Sequence, residues 1–227
     1  ADPVAFLSMF GLDEEALGER LRRGRALRPN RQSVDLEVDR VVSMLKEDGP
    51  LARAIPGFEE RAEQVRMARA TAEAINGERR LIVEAGTGVG KSLAYLIPAA
   101  LYALMNNKRV VISTNTINLQ EQLLGKDIPI LVRALEGIED VASEGLKFTQ
   151  LKGRANYLCL RRWSRMRSSE TLSEAEARLM AKTLVWLGTT SSGDRSEVNL
   201  AHRSAAAPWD RLSAQGALEC QGMGGFC

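Results

Sequence analysis

Residues 85–92 read Ala-Gly-Thr-Gly-Val-Gly-Lys-Ser, and glycines spaced this way before a lysine and a serine can do phosphate chemistry. The stretch Gly86, Thr87, Gly88, Val89 and Gly90 can wrap its backbone around a phosphate with the N–H groups turned inward. Lys91 would reach the outer phosphates, and Ser92 would offer its hydroxyl to Mg²⁺. Lys91 and Ser92 are therefore the candidate catalytic residues, and the expected ligand is ATP or ADP with Mg²⁺. Alanine stands at position 85, where such loops usually carry their first glycine. The plainer alternative is an ordinary glycine-rich turn between a strand and a helix.

The flanks argue for the loop. Leu81-Ile82-Val83 reads as a buried strand, and Leu93, Leu96, Ile97, Ala100, Leu101 and Leu104 recur at helical spacing behind it. A helix N-terminus placed there adds a favourable dipole for an anion. A second apolar run, Arg109-Val110-Val111-Ile112-Ser113, follows at the distance of one crossover helix, and Phe148-Thr149-Gln150-Leu151 is a third candidate strand. The pattern predicts a βαβ unit, hence an α/β fold with a parallel sheet and helices on both faces. Residues 1–50 read as an N-terminal helical segment, with Val34, Val38, Val41, Val42 and Leu45 at helical spacing before a break at Gly49-Pro50. Residues 51–155 read as the first part of the nucleotide domain. Residues 156–227 read as a third, mainly helical part, in which Ser173 and Glu176 form a capping box for a helix carrying Ala175, Leu179, Leu184 and Leu187.

Hydrolysis needs an acidic residue at the end of a further apolar strand, to hold Mg²⁺ and polarise water. No apolar run after Ser92 ends that way, and Ile138-Glu139-Asp140 sits in a polar stretch. The chain starts on Ala1 and ends on Cys227, and it reads as a piece of something longer that binds nucleotide without hydrolysing it. A net charge of +2 does not by itself announce a nucleic-acid binder. Arginines nevertheless cluster twice, at positions 20, 22, 23, 25, 28 and 31 and at 154, 161, 162, 165 and 167, where they can follow a phosphate backbone or simply form a solvated face. No stretch is long and apolar enough to span a membrane, and the N-terminus is not a signal peptide, so a cytoplasmic protein is expected.

The three cysteines, Cys159, Cys220 and Cys227, all follow the nucleotide segment. Soft thiolates gathered in a small irregular region suit a metal or an iron–sulfur cluster, and His202, the one histidine, could complete a zinc site instead. Scattered buried thiols are the plainer reading.

Three further stretches carry a resemblance. Residues 58–67 read Phe-Glu-Glu-Arg-Ala-Glu-Gln-Val-Arg-Met, residues 111–124 read Val-Ile-Ser-Thr-Asn-Thr-Ile-Asn-Leu-Gln-Glu-Gln-Leu-Leu, and residues 151–159 read Leu-Lys-Gly-Arg-Ala-Asn-Tyr-Leu-Cys. With the phosphate loop, residues 45–227 resemble the DinG branch of the XPD/DinG superfamily 2 DNA helicases. The resemblance implies a RecA-like phosphate-loop domain followed by an iron–sulfur cluster domain, incomplete here. It implies that Arg61 and Gln64 read the adenine and that Thr114, Asn115, Thr116 and Gln120 touch the DNA strand. It implies that Cys159, Cys220 and Cys227 ligate a [4Fe–4S] cluster whose fourth ligand lies beyond them. The implied activity is ATP-dependent 5′ to 3′ unwinding of single-stranded or forked DNA, with R-loops among the candidate substrates, in a bacterial cytoplasm. The family's DEAH box and the motifs of its second RecA-like domain do not occur in this sequence.

The residue chemistry agrees with these roles independently. The Gln64 amide has the donor and acceptor that an adenine edge needs. Thr and Asn at the end of a parallel strand sit where ligands bind such sheets, and they can bond phosphate without reading bases, though helix capping explains Thr116 and Asn118 equally well. Tyr157, Trp163 and Trp209 can stack on bases, but core packing is the stronger expectation. Two rivals stand beside the helicase reading: another phosphate-loop NTPase, and a zinc-stabilised nucleotide-binding module without catalysis.

Overall fold

The computed structural model describes residues 27–86, 88–136, 138, 145–190, 192–198 and 206–214. Thr87, the Glu139-Asp140 pair, His202, Cys220, Cys227 and the early arginines up to Arg25 lie outside the described residues. The chain divides into two compact units at Gln150–Leu151.

The first unit is built of helices. Helix α1 (Val38–Ser43) and α2 (Pro50–Ala54) precede α3 (Ala62–Asn76) and α4 (Lys91–Asn106). Then come α5 (Ile117–Gln122), a π-turn (Leu123–Asp127) and α6 (Ile128–Leu135). Helix α4 is the centre: Ala94, Leu96, Ile97, Ala100 and Leu101 are buried, as their helical spacing predicts, and they meet Ala68 and Ala72 of α3, Leu51 of α2 and Leu131 of α6 in one core. The small alanines of α3 let two backbones approach closely. Gly49-Pro50 is not only a break: Pro50 opens α2, where its missing N–H costs nothing.

The N-terminal helical expectation needs correction before α1. Residues 28–36 run as an irregular strap pinned across the ends of α3 and α4. The Asn106 side chain, fully buried, accepts from the Val34 N–H at 2.6 Å and donates to the Val34 carbonyl at 3.0 Å. Asn76 does the same to Leu36, at 2.8 and 2.9 Å. Each carboxamide thus acts as a surrogate peptide group for one strap residue. Val34, counted above with the helical residues, is half exposed within the strap.

The parallel sheet is the larger correction. Among the described residues there is no strand, and the only bridges are isolated ones in the second unit. Residues 81–83, 109–113 and 148–151 carry no regular structure, and their apolar side chains face outward: Ile82 is 97% exposed and Val111 80%. The reason is that a parallel strand is not a local structure. It needs neighbours on its edges and helices on both faces, and no described segment pairs with these runs.

The second unit contains a 3₁₀ turn (Arg154–Asn156), α7 (Leu160–Arg167), α8 (Glu174–Leu187), a further 3₁₀ turn (Arg195–Glu197) and α9 (Ala206–Leu212). Its core is Trp163 and Met166 of α7, Leu179, Trp186 and Leu187 of α8, and Trp209 and Leu212 of α9. Trp163 and Trp209 are core rather than stacking platforms. The capping box is formed: the Ser173 hydroxyl accepts from the Glu176 N–H, and Glu176 accepts from the Ser173 N–H. Leu184, expected on the buried face, is exposed; Thr183 takes that place and accepts a hydrogen bond from Trp163 Nε1 at 2.8 Å.

Candidate nucleotide and DNA site

The loop before α4 is gripped from the start of α3. Arg61 is the residue on which α3 begins, and its Nη1 donates to the Gly88 carbonyl. Gln64, one turn in and 4% exposed, donates from Nε2 to the Gly90 carbonyl at 2.9 Å. The two side chains that the resemblance assigns to adenine therefore hold the loop itself in this structure. The fit is close enough to dictate a residue type. Gly90 has φ 75°, a backbone that demands glycine, and a Cβ there would fall 2.3 Å from Gln64 Nε2, so the Gln64 side chain would have to shift as well. Gly88, at φ 82°, needs glycine for its backbone alone.

Lys91 folds back over the loop, donating to the carbonyls of Ala85 at 2.9 Å and Gly86 at 2.5 Å. Its ammonium thus sits where the loop curls, held by neutral acceptors that a phosphate would outcompete. No side chain caps α4, whose first N–H groups and dipole point the same way. The arrangement can receive an anion by one exchange: carbonyls leave the lysine and phosphate oxygens replace them.

Ser92 lies in the first turn of α4, three residues before Tyr95. Burial pushes the Tyr95 phenol above its ordinary value; the Ser92 hydroxyl opposes this and the negative charge of Asp127 reinforces it. Neither Tyr95 nor Asp127 stood out in the sequence. The i, i+3 spacing of Ser92 and Tyr95 was the available signal.

The second group of candidates surrounds the start of α5. Thr116 is its N-cap, accepting from the Leu119 N–H at 3.3 Å, while Thr116 itself donates its N–H to the Thr114 hydroxyl at 3.4 Å. Capping thus accounts for part of what Thr116 does. Asn115 is exposed, and Gln120 Oε1 accepts from Gln150 Nε2 at 3.3 Å. Thr114, Asn115, Thr116 and Gln120 are together on one short segment, with hydroxyls and amides that can meet phosphate oxygens.

Cys159 lies in the second unit as the half-buried residue before α7. Its backbone is fixed by its N–H to the Leu212 carbonyl at 2.8 Å, and its carbonyl accepts from Trp163. The residues before it form a rigid lead-in. Lys152, side chain 4% exposed, pairs with Asp194 at 2.7 Å and donates to the Ser196 hydroxyl at 3.0 Å. The Lys152 N–H donates to the Tyr157 hydroxyl at 2.8 Å, and Trp209 Nε1 donates to the Ala155 carbonyl at 2.8 Å. Burial pushes Asp194 up, but Lys152 together with the backbone and hydroxyl of Ser196 outweighs it and holds the carboxyl below its ordinary value. Among the described residues no three His, Cys, Asp or Glu side chains gather as a metal site, and Cys220 and Cys227 lie outside them.

No helix among the described residues is long and apolar enough to cross a membrane. Comparison with known proteins gives a consistent picture. Residues 66–131, which include α4 and the loop before it, match the DEAD/DEAH box helicase family, whose domain is RecA-like. The chain is 36% identical over 182 residues to the ATP-dependent DNA helicase YoaA of Haemophilus influenzae, covering 79% of this chain and 27% of that protein. It is 38% identical over 192 residues to the ATP-dependent helicase DinG of Mycobacterium tuberculosis, covering 76% and 27%. It is 37% identical over 163 residues to the 3′-5′ exonuclease DinG of Bacillus subtilis, covering 72% and 17%. The chain thus spans about a quarter or less of the length of these relatives. With the loop of residues 85–92, the grip of Arg61 and Gln64 upon it, and similarity over most of its length, the chain belongs to the DinG-like branch of the DEAD/DEAH box helicases.

Proposed function

We propose that this chain is the nucleotide-binding front part of an ATP-dependent DNA helicase that moves 5′ to 3′ along single-stranded DNA, acting on forks or R-loops in bacterial DNA repair. The observation that supports it most is the loop of residues 85–92, with Lys91 resting on carbonyls and Arg61 and Gln64 gripping the backbone. In this reading Gly86 to Gly90 cradle the phosphates, Lys91 neutralises their charge, and Ser92 holds Mg²⁺. Arg61 and Gln64 stay on the loop until the nucleotide arrives and then turn toward the adenine. Thr114, Asn115, Thr116 and Gln120 bind the DNA backbone without reading sequence. Residues 51–155 belong to the first motor domain and 156–227 to a cluster domain, in which Cys159, Cys220 and Cys227 hold a [4Fe–4S] cluster with a fourth thiolate. When bound, that group supplies a fixed cross-link between segments. This chain alone binds nucleotide and does not turn it over.

The test is binding of a fluorescent ATP analogue with Mg²⁺ to the chain and to Lys91→Ala. Wild type is expected to bind and the variant to lose binding; equal affinity would remove the loop from the site. Full-length protein prepared without oxygen is expected to contain iron and sulfide, and stoichiometric zinc with neither would reject the cluster in favour of a site completed by His202.

A further inference from the structure

Helices α3 and α4 run side by side in the same direction and are tied together at both ends. At their starts Gln64 of α3 donates to the carbonyl of Gly90, the residue on which α4 begins. At their ends Asn76 takes hold of Leu36 and Asn106 of Val34, two residues apart in the strap. Between the ends the contact is smooth. The face that α3 brings to it is made by Ala68 and Ala72, both fully buried. Side chains this short raise only low ridges, so little interlocking opposes the sliding of one helix along the other.

The strap supplies what that smooth contact lacks. It closes the end of α4: the Asn30 N–H donates to the Asn106 carbonyl at 3.0 Å and Asn30 Nδ2 to the Met105 carbonyl at 2.9 Å, so carbonyls that a helix end leaves without partners are bonded. Asn107 Nδ2 donates to the Arg28 carbonyl at 2.6 Å, and Lys108 Nζ to the Ser33 hydroxyl at 2.5 Å. The Asn106 carboxamide is also fixed from its own helix, since Nδ2 donates to the Tyr102 carbonyl one turn back at 3.1 Å. From Val34 to Leu36 the chain can span at most about 7 Å, a little less than the roughly 8–10 Å between packed helix axes. The strap thus joins the two helix ends with no slack that would let either advance past the other.

We propose that Asn76 and Asn106 are positioning residues for nucleotide binding: through the strap they fix α3 and α4 along their common direction, and so keep Arg61 and Gln64 level with Gly88 and Gly90 at the opposite ends. Gln64 lies twelve residues from Asn76, about 18 Å of helix, and α3 is unbroken over that length, so a slip at the strap arrives at the loop. The proposal rests on reading residues 86–92 as the nucleotide loop. Nothing in it requires the cluster or the second unit.

The test uses the full-length protein with Asn76→Ala, Asn106→Ala and Gln64→Ala. Hydrogen exchange is read without nucleotide at the start of α4, where the Ala94 N–H donates to the same Gly90 carbonyl that Gln64 holds, and at α6 for comparison. Both strap variants are expected to speed exchange at the start of α4 and to leave α6 as in wild type. They are also expected to weaken the affinity for a fluorescent ATP analogue with Mg²⁺ by about threefold to tenfold, the scale of one hydrogen bond. Added to Gln64→Ala, Asn76→Ala is expected to change exchange at the start of α4 no further, because the grip it acts through is already gone. A merely structural role would speed exchange at the strap and the adjoining helix ends alone, or evenly through the first unit, and either result would overturn the proposal. Nucleotide affinity as in wild type would overturn it too. Should the buried Asn106 not tolerate replacement, the half-buried Asn76 carries the test. Lys91→Ala separates the two readings: if it binds nucleotide as wild type does, the loop assignment itself fails, whereas the exchange result reports on the strap without any nucleotide.

Discussion

The phosphate loop and the lead-in to Cys159 are both short, glycine-containing stretches that carry a site, but they are held in opposite ways. The loop of residues 85–92 is held by contacts that can be exchanged. Arg61, Gln64 and Lys91 all donate to backbone carbonyls, which a nucleotide can displace one by one. Residues 151–159 are held by contacts that no ligand has to displace: a buried ion pair, a half-buried tyrosine hydroxyl bond and an indole N–H on a carbonyl. A site that must admit and release a ligand keeps its charges on loan to the backbone. A residue that must stay in one place is fixed by groups already paired with each other.

The comparison breaks most sharply at Lys152. Lys152→Met leaves Asp194 buried without its cation and is expected to destabilise the second unit by about 3–5 kcal/mol. Urea denaturation read by tryptophan fluorescence measures this, since all three tryptophans lie in that unit. A cost below about 1 kcal/mol would show that the pair is exchangeable after all. Lys91→Ala is the mirror experiment. It is expected to weaken Mg²⁺-nucleotide binding by about a hundredfold, the value of a charge-assisted bond to phosphate, while the melting temperature stays put.

Gly90→Ala tests how tight the grip on the loop is. Both the positive φ and the 2.3 Å approach of Gln64 oppose a methyl group. The expected cost is about 1–3 kcal/mol, shared between loop distortion and loss of nucleotide affinity, and it should shrink in the double variant with Gln64→Ala, which relieves the clash. The smallest effect concerns pH. Because the folded-state value of Asp194 is depressed, its contribution to stability is fully present above about pH 4 and is lost as pH falls through the folded value. Asp194→Asn should flatten that acid limb in a stability-versus-pH series; an unchanged limb would assign it to other carboxylates.

What was legible in the sequence was what is local. Helix α4 follows from the spacing of Leu96, Ile97, Ala100 and Leu101, and the capping box at Ser173 from a four-residue pattern. The residues around Gly90 were readable as a loop because glycine there answers a backbone requirement. The strands at 81–83 and 109–113 were read from equally good local patterns, yet pairing is a property of distant partners, and no described segment supplies them. Lys152 and Asp194 are forty-two residues apart, and Asp127 is buried at a turn that Pro129 widens, so neither was visible in spacing. The role of Gln64 was half legible: an amide with two faces was expected at the adenine, and the structure shows it first occupied with the loop.

The strap across α3 and α4 has a consequence for how this molecule ages. Asn76 is followed by Gly77, the pair in which a backbone nitrogen most easily attacks the preceding carboxamide and converts asparagine to aspartate or isoaspartate. In the folded chain both reactants are engaged. The Asn76 carboxamide is bonded twice to Leu36, and the Gly77 N–H donates to the Glu73 carbonyl at 3.0 Å. The bonds that fix the strap therefore also shield the linkage chemically. Once deamidated, the new carboxylate would face the Leu36 carbonyl with no proton to give it, so the strap could not close again. Isoaspartate measured at position 76 is a clock for time spent unfolded, and it should stay near background in protein kept native.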